Sequence, residues 1–330
     1  MNNARNSITK VVAAIFVIFW LPLYCSCNST SSRDYRQDMR DFIQAISRYA
    51  RSIQDEFIVI PQNGNELITE DGEADGSLVL GYLSAIDGLG REDLYYGYSD
   101  DDSATPVKEV NYMVSFLDRA KANGMTILVT DYCYTPAKMD DSYLQNLSKG
   151  YISFAADHRE LDNIPSHPYP TGHPGLSADP ISTLSEARNF LYLINPSSYA
   201  TKADFISAVD ATEYDILLLD LFFEDESLTI SDLVQLKTKP SGSSRLVLAY
   251  MSIGEAEDYR YYWQSSWMND PPSWLAEENS YWPGNYKVRY WMKEWQDIIS
   301  GNDGSYTKKI LNAGFSGVYL DIIDAFEYFE

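Results

Sequence analysis

Eight short, nearly continuous apolar runs that alternate with helical patterns constrain the fold of this chain more than any other feature. Runs of this kind are typical of parallel strands buried on both faces, and their alternation with helices indicates an α/β architecture. We predict strands at 57–60, 85–90, 125–130, 151–155, 190–194, 215–219, 246–252 and 317–320. The apolar periodicity predicts intervening helices at 34–53, 107–121, 202–211, 231–237 and 295–311.

The count of eight strands favours a single closed (β/α)8 TIM barrel over an open doubly wound sheet. No glycine-rich phosphate loop follows any of the predicted strands, which argues further against a nucleotide-binding open sheet. A chain of 330 residues is long enough for one such barrel.

The N-terminus is predicted to be a leader and not part of the barrel. Arg5 and Lys10 precede an apolar run at 11–23 that is short for a membrane span, so residues 1–26 are predicted to be a signal peptide. Cys27 follows a small residue, as in a bacterial lipoprotein cleavage site, and is the predicted lipidation site. We therefore expect an exported protein of the cell envelope, held to a membrane only by a lipid anchor and a polar tether at 27–33. The alternative is a plain secretory leader and a periplasmic or secreted protein.

The order of the elements predicts an unusual barrel closure. The helix at 34–53 has no strand before it, and the strand at 317–320 has no helix after it. In a closed barrel these two elements would be neighbours, so the first helix would cover the last strand. The proline-rich stretch at 163–188 is predicted to be a linker that joins two halves, 34–162 and 189–330.

Composition excludes several kinds of site. The chain has three cysteines and three histidines, and Cys133 is the only cysteine beyond the predicted leader and Cys27. A disulfide framework, a multi-histidine zinc site and a Ser-His-Asp triad are therefore not expected, and we predict no metal and no cofactor. A formal charge of −23 argues against nucleic acid as a partner. It suits a cationic ligand, although acidity that only maintains solubility explains it equally well.

Acidic or amide side chains close almost every predicted strand, at the end where barrel enzymes gather their sites. The candidates carried forward are Asn63, Glu92, Asp220, Glu255, Asp321 and Asp324. A ring of carboxylates without histidine suits either glycoside hydrolysis or a magnesium or calcium site. The 26 tyrosines and 7 tryptophans, many of them between 259 and 295, favour sugar, because flat aromatic faces stack on sugar rings.

Several longer motifs carry a family resemblance. They are LAYMSIGEAEDYRYYW at 248–263, WPGNY at 282–286, GFSGVYLDIIDAFEY at 314–328, IPQNGNEL at 60–67, AIDGLGREDLY at 85–95 and AADHREL at 155–161. Together they resemble the endo-α-1,4-polygalactosaminidase-like TIM barrels of glycoside hydrolase family 114 and their bacterial and archaeal relatives, some once labelled cysteinyl-tRNA synthetase-like. In the family the segments of residues 34–162 follow those of residues 189–330, so the chain resembles a circular permutant of the family.

The resemblance implies an activity and a site. It implies a catalytic pair, with Asp321 as nucleophile or charge-stabilising carboxylate and Glu92 as general acid/base. Asp220, Glu255, Asp324 and Asn63 would support the pair or bind sugar hydroxyls, and Tyr250 and Arg260 are further substrate-binding candidates. The implied function is an exported, endo-acting glycoside hydrolase, working as a monomer on a galactosamine-type polysaccharide. A non-catalytic carbohydrate-binding envelope lipoprotein is the alternative, and a structural lipoprotein with a silent barrel is a third possibility.

Overall fold

A computed structural model describes residues 33–168 and 175–330 of the protein. The predicted signal peptide, most of the tether, Cys27 and part of the proline-rich linker lie outside these residues. Within them, no helix is long and apolar enough to cross a membrane. The strands are β1 (Ile58–Pro61), β2 (Gly88–Glu92), β3 (Thr126–Tyr132), β4 (Ile152–Ala156), β5 (Phe190–Leu193), β6 (Ile216–Leu219), β7 (Phe222–Phe223), β8 (Glu226–Ser227), β9 (Leu246–Ser252), β10 (Glu255–Glu257), β11 (Leu275–Glu278), β12 (Asn285–Val288) and β13 (Gly317–Asp321).

All eight predicted strands are present, as two parallel sheets. A five-stranded sheet has the order β1-β13-β9-β6-β5, and a three-stranded sheet has the order β2-β3-β4. The first strand therefore pairs with the last, with Ile58 opposite Gly317 and Pro61 opposite Leu320. Every residue of β1, β4, β5, β6 and β9 is buried, as expected for strands covered on both faces.

The two sheets meet along two seams. At the first seam, Gln62 forms a parallel bridge with Gly90, and the Asn63 amide donates to the Gly90 carbonyl at 2.9 Å. At the second, the rings of Phe154 in β4 and Phe190 in β5 lie 5.7 Å apart. No continuous strand ladder closes the two sheets into one barrel in the described residues. What is established is an α/β fold built on parallel sheets.

The helices are α1 (Tyr35–Arg51), α2 (Leu80–Leu83), α3 (Val107–Ala122), α4 (Pro136–Lys149), α5 (Lys202–Asp210), α6 (Ile230–Leu236), α7 (Lys293–Ile299) and α8 (Tyr306–Ala313). Short 3-10 helices occupy Asn65–Ile68, Leu184–Glu186, Pro196–Ser198, Ser265–Met268 and Ile323–Tyr328. Helix α1 begins where the Asp34 side chain accepts a hydrogen bond from the Gln37 amide, and its apolar stripe is buried. Its first turn lies near the last residues of the chain, where Arg36 forms an ion pair with Glu330 at 2.9 Å.

Two sequence predictions of helices need correction. The single helix predicted at 295–311 is two helices, because Ser300 is extended and Gly301 has a φ of +99°, which helical backbone does not allow. Helix α4 was not predicted at all. Its outward residues include the exposed Leu144 and Leu147, which obscure the apolar stripe that identifies an amphipathic helix.

An antiparallel sheet of order β10-β12-β11 was also not predicted. It is inserted between β9 and α7, and its strands are only three or four residues long, too short for a period to be recognised. It carries Glu255 in β10, opposite Lys287 of β12. The segment that connects β11 to β12 contains Trp282.

The second part of the predicted linker packs against the protein body. The Ile181 amide donates to the Ser244 carbonyl at 2.9 Å, and Ile181 and Leu184 are buried. The ammonium group of Lys239 donates to the carbonyl of Ser177 at 2.9 Å and pairs with Asp215 at 2.6 Å. Residues 177–184 are therefore tied to the segment just before β9.

Candidate active site

The carboxyl ends of four neighbouring strands deliver the central side chains of the candidate site. Asp321 is the last residue of β13, Glu92 ends β2, Tyr132 ends β3, and Gln62 follows β1 directly. Since the strands of each sheet run parallel, these ends lie at one edge. The register places Glu92 opposite Thr130 and Asp321 opposite Ser252.

One amide group joins the two carboxylates predicted to be catalytic. The Gln62 Nε2 donates to Asp321 Oδ1 at 2.8 Å and to Glu92 Oε2 at 3.0 Å. The two acceptor oxygens are therefore separated by no more than the sum of these distances, about 5.8 Å. Gln62 and Asp321, which are 259 positions apart in sequence, thus meet in one site.

Glu92 accepts further hydrogen bonds from side chains of two elements. Asn63 Nδ2 donates to Glu92 Oε2 at 3.0 Å, and the hydroxyl of Tyr132 donates to Glu92 Oε1. The Asn63 side chain also accepts from the backbone amide of Glu92 at 3.2 Å. Asn63 has a φ of +63°, a backbone conformation that asparagine adopts more readily than most residues. These donors hold the Glu92 carboxyl group in a fixed orientation.

Asp321, like Glu92, is partly buried. Its Oδ2 accepts a hydrogen bond from the Tyr250 hydroxyl at 2.8 Å. Burial, and then the charge on Glu92, raise the pKa of Asp321 to about 8, against the lowering effect of the Tyr250 hydrogen bond. Burial and the negative charge of Glu92 thus both disfavour the ionised form of Asp321.

The backbone just after Asp321 is strained. Ile322 has a φ of +55°, which is an outlier for a β-branched residue. The neighbouring Gly254 leaves room for this turn, because a Cβ at that position would lie 2.0 Å from the Ile322 carbonyl oxygen and 2.6 Å from the Ala325 Cβ. The turn leads into the 3-10 helix that carries Asp324. Burial, and then the charge on Glu327, raise the pKa of Asp324 to about 7.

Arg260 organises a buried ionic cluster beside the pair. It pairs with Asp220 at 2.7 Å and with Glu257 at 2.5 Å, and all three side chains are buried. Burial alone would lower the pKa of Arg260, but Asp220 and then Glu257 raise it above its ordinary value. Asp220 and Arg260, predicted to bind substrate, thus hold each other in place, and the amide of Phe222 also donates to Asp220 at 2.8 Å.

Glu255 is a carboxylate with an incomplete set of partners. Its Oε1 accepts from Asn279 at 2.9 Å and from the Tyr328 hydroxyl at 3.1 Å. Its Oε2 has no hydrogen-bond partner, although the residue is 0 % exposed. Burial raises the pKa of Glu255. No ion pair of Glu255 occurs within residues 33–168 and 175–330, so its charge is not locally compensated.

All eight residues predicted for catalysis and substrate binding line one cavity. The cavity volume is about 230 Å³, smaller than the about 300–1,000 Å³ of typical small-molecule sites, so the cavity fits a single ring-sized group. The predicted residues that line it are Asn63, Glu92, Asp220, Tyr250, Glu255, Arg260, Asp321 and Asp324. Groups of three or more side chains arranged to hold a metal ion are not found in the described residues.

Some residues of this site were not among the site residues predicted from the sequence. Tyr132, Tyr192, Arg159 and Glu257 also line the cavity. Gln62, which directly follows β1, was not among the candidates selected from the strand ends. Side-chain parity offers a signal for Tyr132, because it follows the inward-facing residues of β3 at a spacing of two.

The aromatic residues predicted to stack on sugar divide into two sets. Trp282 and Tyr259 line the cavity and are 52 % and 58 % exposed, so their faces are accessible to a ligand. The other tryptophans mostly pack on each other: Trp267 lies 5.0 Å from Trp274, and Trp274 lies 5.0 Å from Trp295. Trp274 and Trp295 are buried and belong to the core.

Comparison with known proteins relates part of this chain to others. A stretch of 92 residues is 52% identical to an uncharacterised protein of Methanocaldococcus jannaschii and covers 28% of this chain and 25% of that protein. A stretch of 81 residues is 52% identical to an uncharacterised protein of Thermotoga maritima, and covers 24% of each chain. A further 122 residues are 34% identical to an uncharacterised protein of Deinococcus radiodurans, covering 37% of each.

These matches span between about a quarter and somewhat over a third of the relatives' own lengths. Residues 186–330 also match a family model, that of glycoside-hydrolase family GH114. Asp321 lies inside this matched segment and Glu92 lies outside it. Residues 186–330, somewhat less than half of the chain, are therefore similar to glycoside-hydrolase family GH114.

Proposed function

We propose that the protein is a glycoside hydrolase that cuts an amino-sugar polysaccharide of the galactosamine type at internal linkages. The observation that carries this proposal is the Asp321–Glu92 pair, which lines one cavity and has one oxygen of each carboxyl group held within about 5.8 Å of the other by a single amide. Glycosidases generally use two carboxyl groups that flank the bond to be cut. The GH114 match of residues 186–330 supports the same activity.

The separation of the pair favours a retaining mechanism. Carboxyl groups about 5–5.5 Å apart serve retaining enzymes, whereas inverting enzymes need roughly 6.5–9.5 Å to admit a water molecule. In this mechanism Asp321 attacks the anomeric carbon, and Glu92 first protonates the leaving oxygen and then deprotonates water. One proton on the pair is the required protonation state, since one group must be an acid while the other is ionised.

The substrate is proposed to carry a protonated amine. Burial and the charge on Glu92 raise the pKa of Asp321 to about 8. An ammonium group bound beside Asp321 would lower that pKa and favour the ionised carboxylate that the mechanism requires as nucleophile. Glu255, with a buried and unpartnered Oε2, and Asp324 are the carboxylates available to pair with such a group.

The test is hydrolysis of defined oligosaccharides. Purified protein is incubated with de-N-acetylated α-1,4-galactosamine oligomers and with their N-acetylated counterparts, and new reducing ends are followed. We expect cleavage of the amine form, with Asp321→Asn and Glu92→Gln each lowering kcat by about 10²–10⁴-fold, because each removes a group that acts in the transition state.

The same assay identifies the alternatives. Activity that survives both substitutions would sink the two-carboxylate mechanism. Tight binding of the oligomers without turnover would instead support a carbohydrate-binding envelope protein. NMR of the first product anomer distinguishes retention from inversion.

We also propose that the two parallel sheets close into one (β/α)8 barrel whose halves are circularly permuted relative to the family. The Gln62–Gly90 bridge at one seam and the Phe154–Phe190 contact at the other support closure. The pairing of β1 with β13 supports the permutation, because it makes the first and last strands neighbours.

For location, we propose export as a monomer with a lipid anchor on Cys27. The support is the sequence pattern of the first 27 residues. Metabolic labelling with a radioactive fatty acid tests it, and label retained by Cys27→Ser would contradict it.

A further inference from the structure

Gln62 stands in a position that no other side chain of the site shares. Its amide donates one hydrogen bond to each carboxylate of the pair, and the residue is only 1 % exposed. An amide NH₂ group has two hydrogens, so both are used by the pair. Asn63 and Tyr132 bond to Glu92 alone, and Tyr250 bonds to Asp321 alone.

A pair of carboxyl groups that shares a proton tends to draw together. A carboxylic acid and a carboxylate form a short charge-assisted O–H···O bond of about 2.5–2.7 Å when nothing separates them. Such a contact would close the gap in which the sugar must lie. An amide placed between the two oxygens opposes this collapse, because both of its hydrogen bonds to charged or polar acceptors would be lost.

The backbone of Gln62 is tied to both strands that carry the pair. The backbone N–H of Gln62 donates to the carbonyl of Leu320, the residue directly before Asp321, at 2.8 Å. Gln62 also forms a parallel bridge with Gly90, two residues before Glu92. Gly90 has no side chain, and a Cβ there would lie 2.0 Å from the Tyr319 hydroxyl. Gln62 therefore responds to any movement at the seam between the two sheets.

We propose that Gln62 is a positioning residue that holds Asp321 and Glu92 apart at the separation required for glycosyl transfer. This inference depends on the function proposed above. Other ionisable groups also face the pair, and they remain in every variant considered. They are Tyr132 from β3, Tyr192 from β5, Tyr250 from β9, Tyr319 from β13, Asp324 from the following 3-10 helix, and the more distant Arg91 and Arg159.

The test compares Gln62→Leu with Asn63→Gly. Gln62→Leu removes the amide that lies between the two carboxyl groups. Asn63→Gly removes one hydrogen-bond donor from Glu92 only, and glycine is chosen because it tolerates the positive φ at this position. For Gln62→Leu we expect kcat to fall about 10²-fold with KM changed far less, because the reacting groups are misplaced while substrate contacts remain. The two apparent pKa values of the pH–kcat profile should move apart, as in carboxyl dyads that share a proton directly.

Asn63→Gly should instead shift only one of the two apparent pKa values of the pH–kcat profile. Gln62→Met, which also lacks the amide, serves as the second variant if Gln62→Leu does not fold. The proposal would be overturned if Gln62→Leu changed kcat and KM by equal factors and left both apparent pKa values of the pH–kcat profile where they are in the wild type. Gln62 would then be a packing residue.

A second readout does not need turnover. If the wild-type protein hydrolyses no oligosaccharide, the proposed function fails, and the role of Gln62 is tested by unfolding in urea between pH 4 and 9. We expect Gln62→Leu to change the pH dependence of unfolding and this change to disappear in an Asp321→Asn background. A pH-independent loss of stability in both backgrounds would overturn the positioning role.

Discussion

At the scale of single residues, Asp321 links stability to pH. An aspartate in an unfolded chain ionises near its ordinary pKa of 3.8, whereas in the folded protein burial and Glu92 raise the pKa of Asp321 to about 8. Between these two values the folded state binds the extra proton, so the free energy of unfolding falls as the pH rises. The contribution of this proton is complete below about pH 4 and is lost by about pH 8. Asp324, with a pKa of about 7, acts in the same direction.

The resulting prediction concerns Asp321→Asn. Because the variant removes a partly buried group that repels Glu92 once ionised, we expect it to be more stable than the wild type at pH 8 by about 0.5–2 kcal/mol, the usual size of a single stabilising substitution. At pH 4 the difference should be small. Urea unfolding at both pH values measures it, with the exposed Asp55→Asn as control. Equal stability of Asp321→Asn and wild type at pH 8 would contradict the assigned environment.

At the scale of elements, the turn after β13 decides where Asp321 and Asp324 point. Its strained Ile322 is accommodated only because Gly254 lies opposite. Gly254→Ala should displace the turn, lower stability by about 1–3 kcal/mol through overpacking, and reduce kcat because the carboxylates shift. Thermal unfolding and the reducing-end assay measure the two effects.

Gly81→Ala is the matched control for this prediction. Gly81 lies in helix α2, and its added Cβ would meet only the Gln44 side chain at 3.7 Å. The substitution should leave activity intact and stabilise the helix slightly. A Gly254→Ala variant that behaves like Gly81→Ala would contradict the close approach described here.

The elements also show what the sequence could predict. Strands β6 and β13 were predictable because a strand buried on both faces is a continuous apolar run, and the polar residues at their ends followed from that. The β10-β12-β11 sheet was not predictable, since strands this short are recognised by their pairing in the folded structure and not by a sequence pattern. Gln62 could not be singled out, because its importance comes from contacts with Asp321, which is 259 residues away.

At the scale of the whole molecule, the proposed permutation makes a prediction about chain order. The Arg36–Glu330 ion pair and the contact of the Tyr35 and Phe329 rings, 5.6 Å apart, bring residues 35 and 330 close together. A chain that runs 189–330 and then 34–162 through a short linker should therefore fold, with a similar Tm and activity. A permutant opened within helix α4 is the control and should lose both. Failure of the reordered chain with a soluble, active parent would contradict the permuted relationship.

The pairing of β13 between β1 and β9 has a consequence for biosynthesis. The ribosome makes β1 early and β13 after every other strand described, yet Ile58 must pair with Gly317. Contacts this distant in sequence form slowly, because a long loop must close before they stabilise anything. Until β13 docks, β1 and β9 expose strand edges that can pair with other chains, so a nascent molecule is vulnerable to aggregation. A partly made chain that lacks β13 also lacks Asp321, so Gln62 and Glu92 have no partner from β13 until that strand is made and docks.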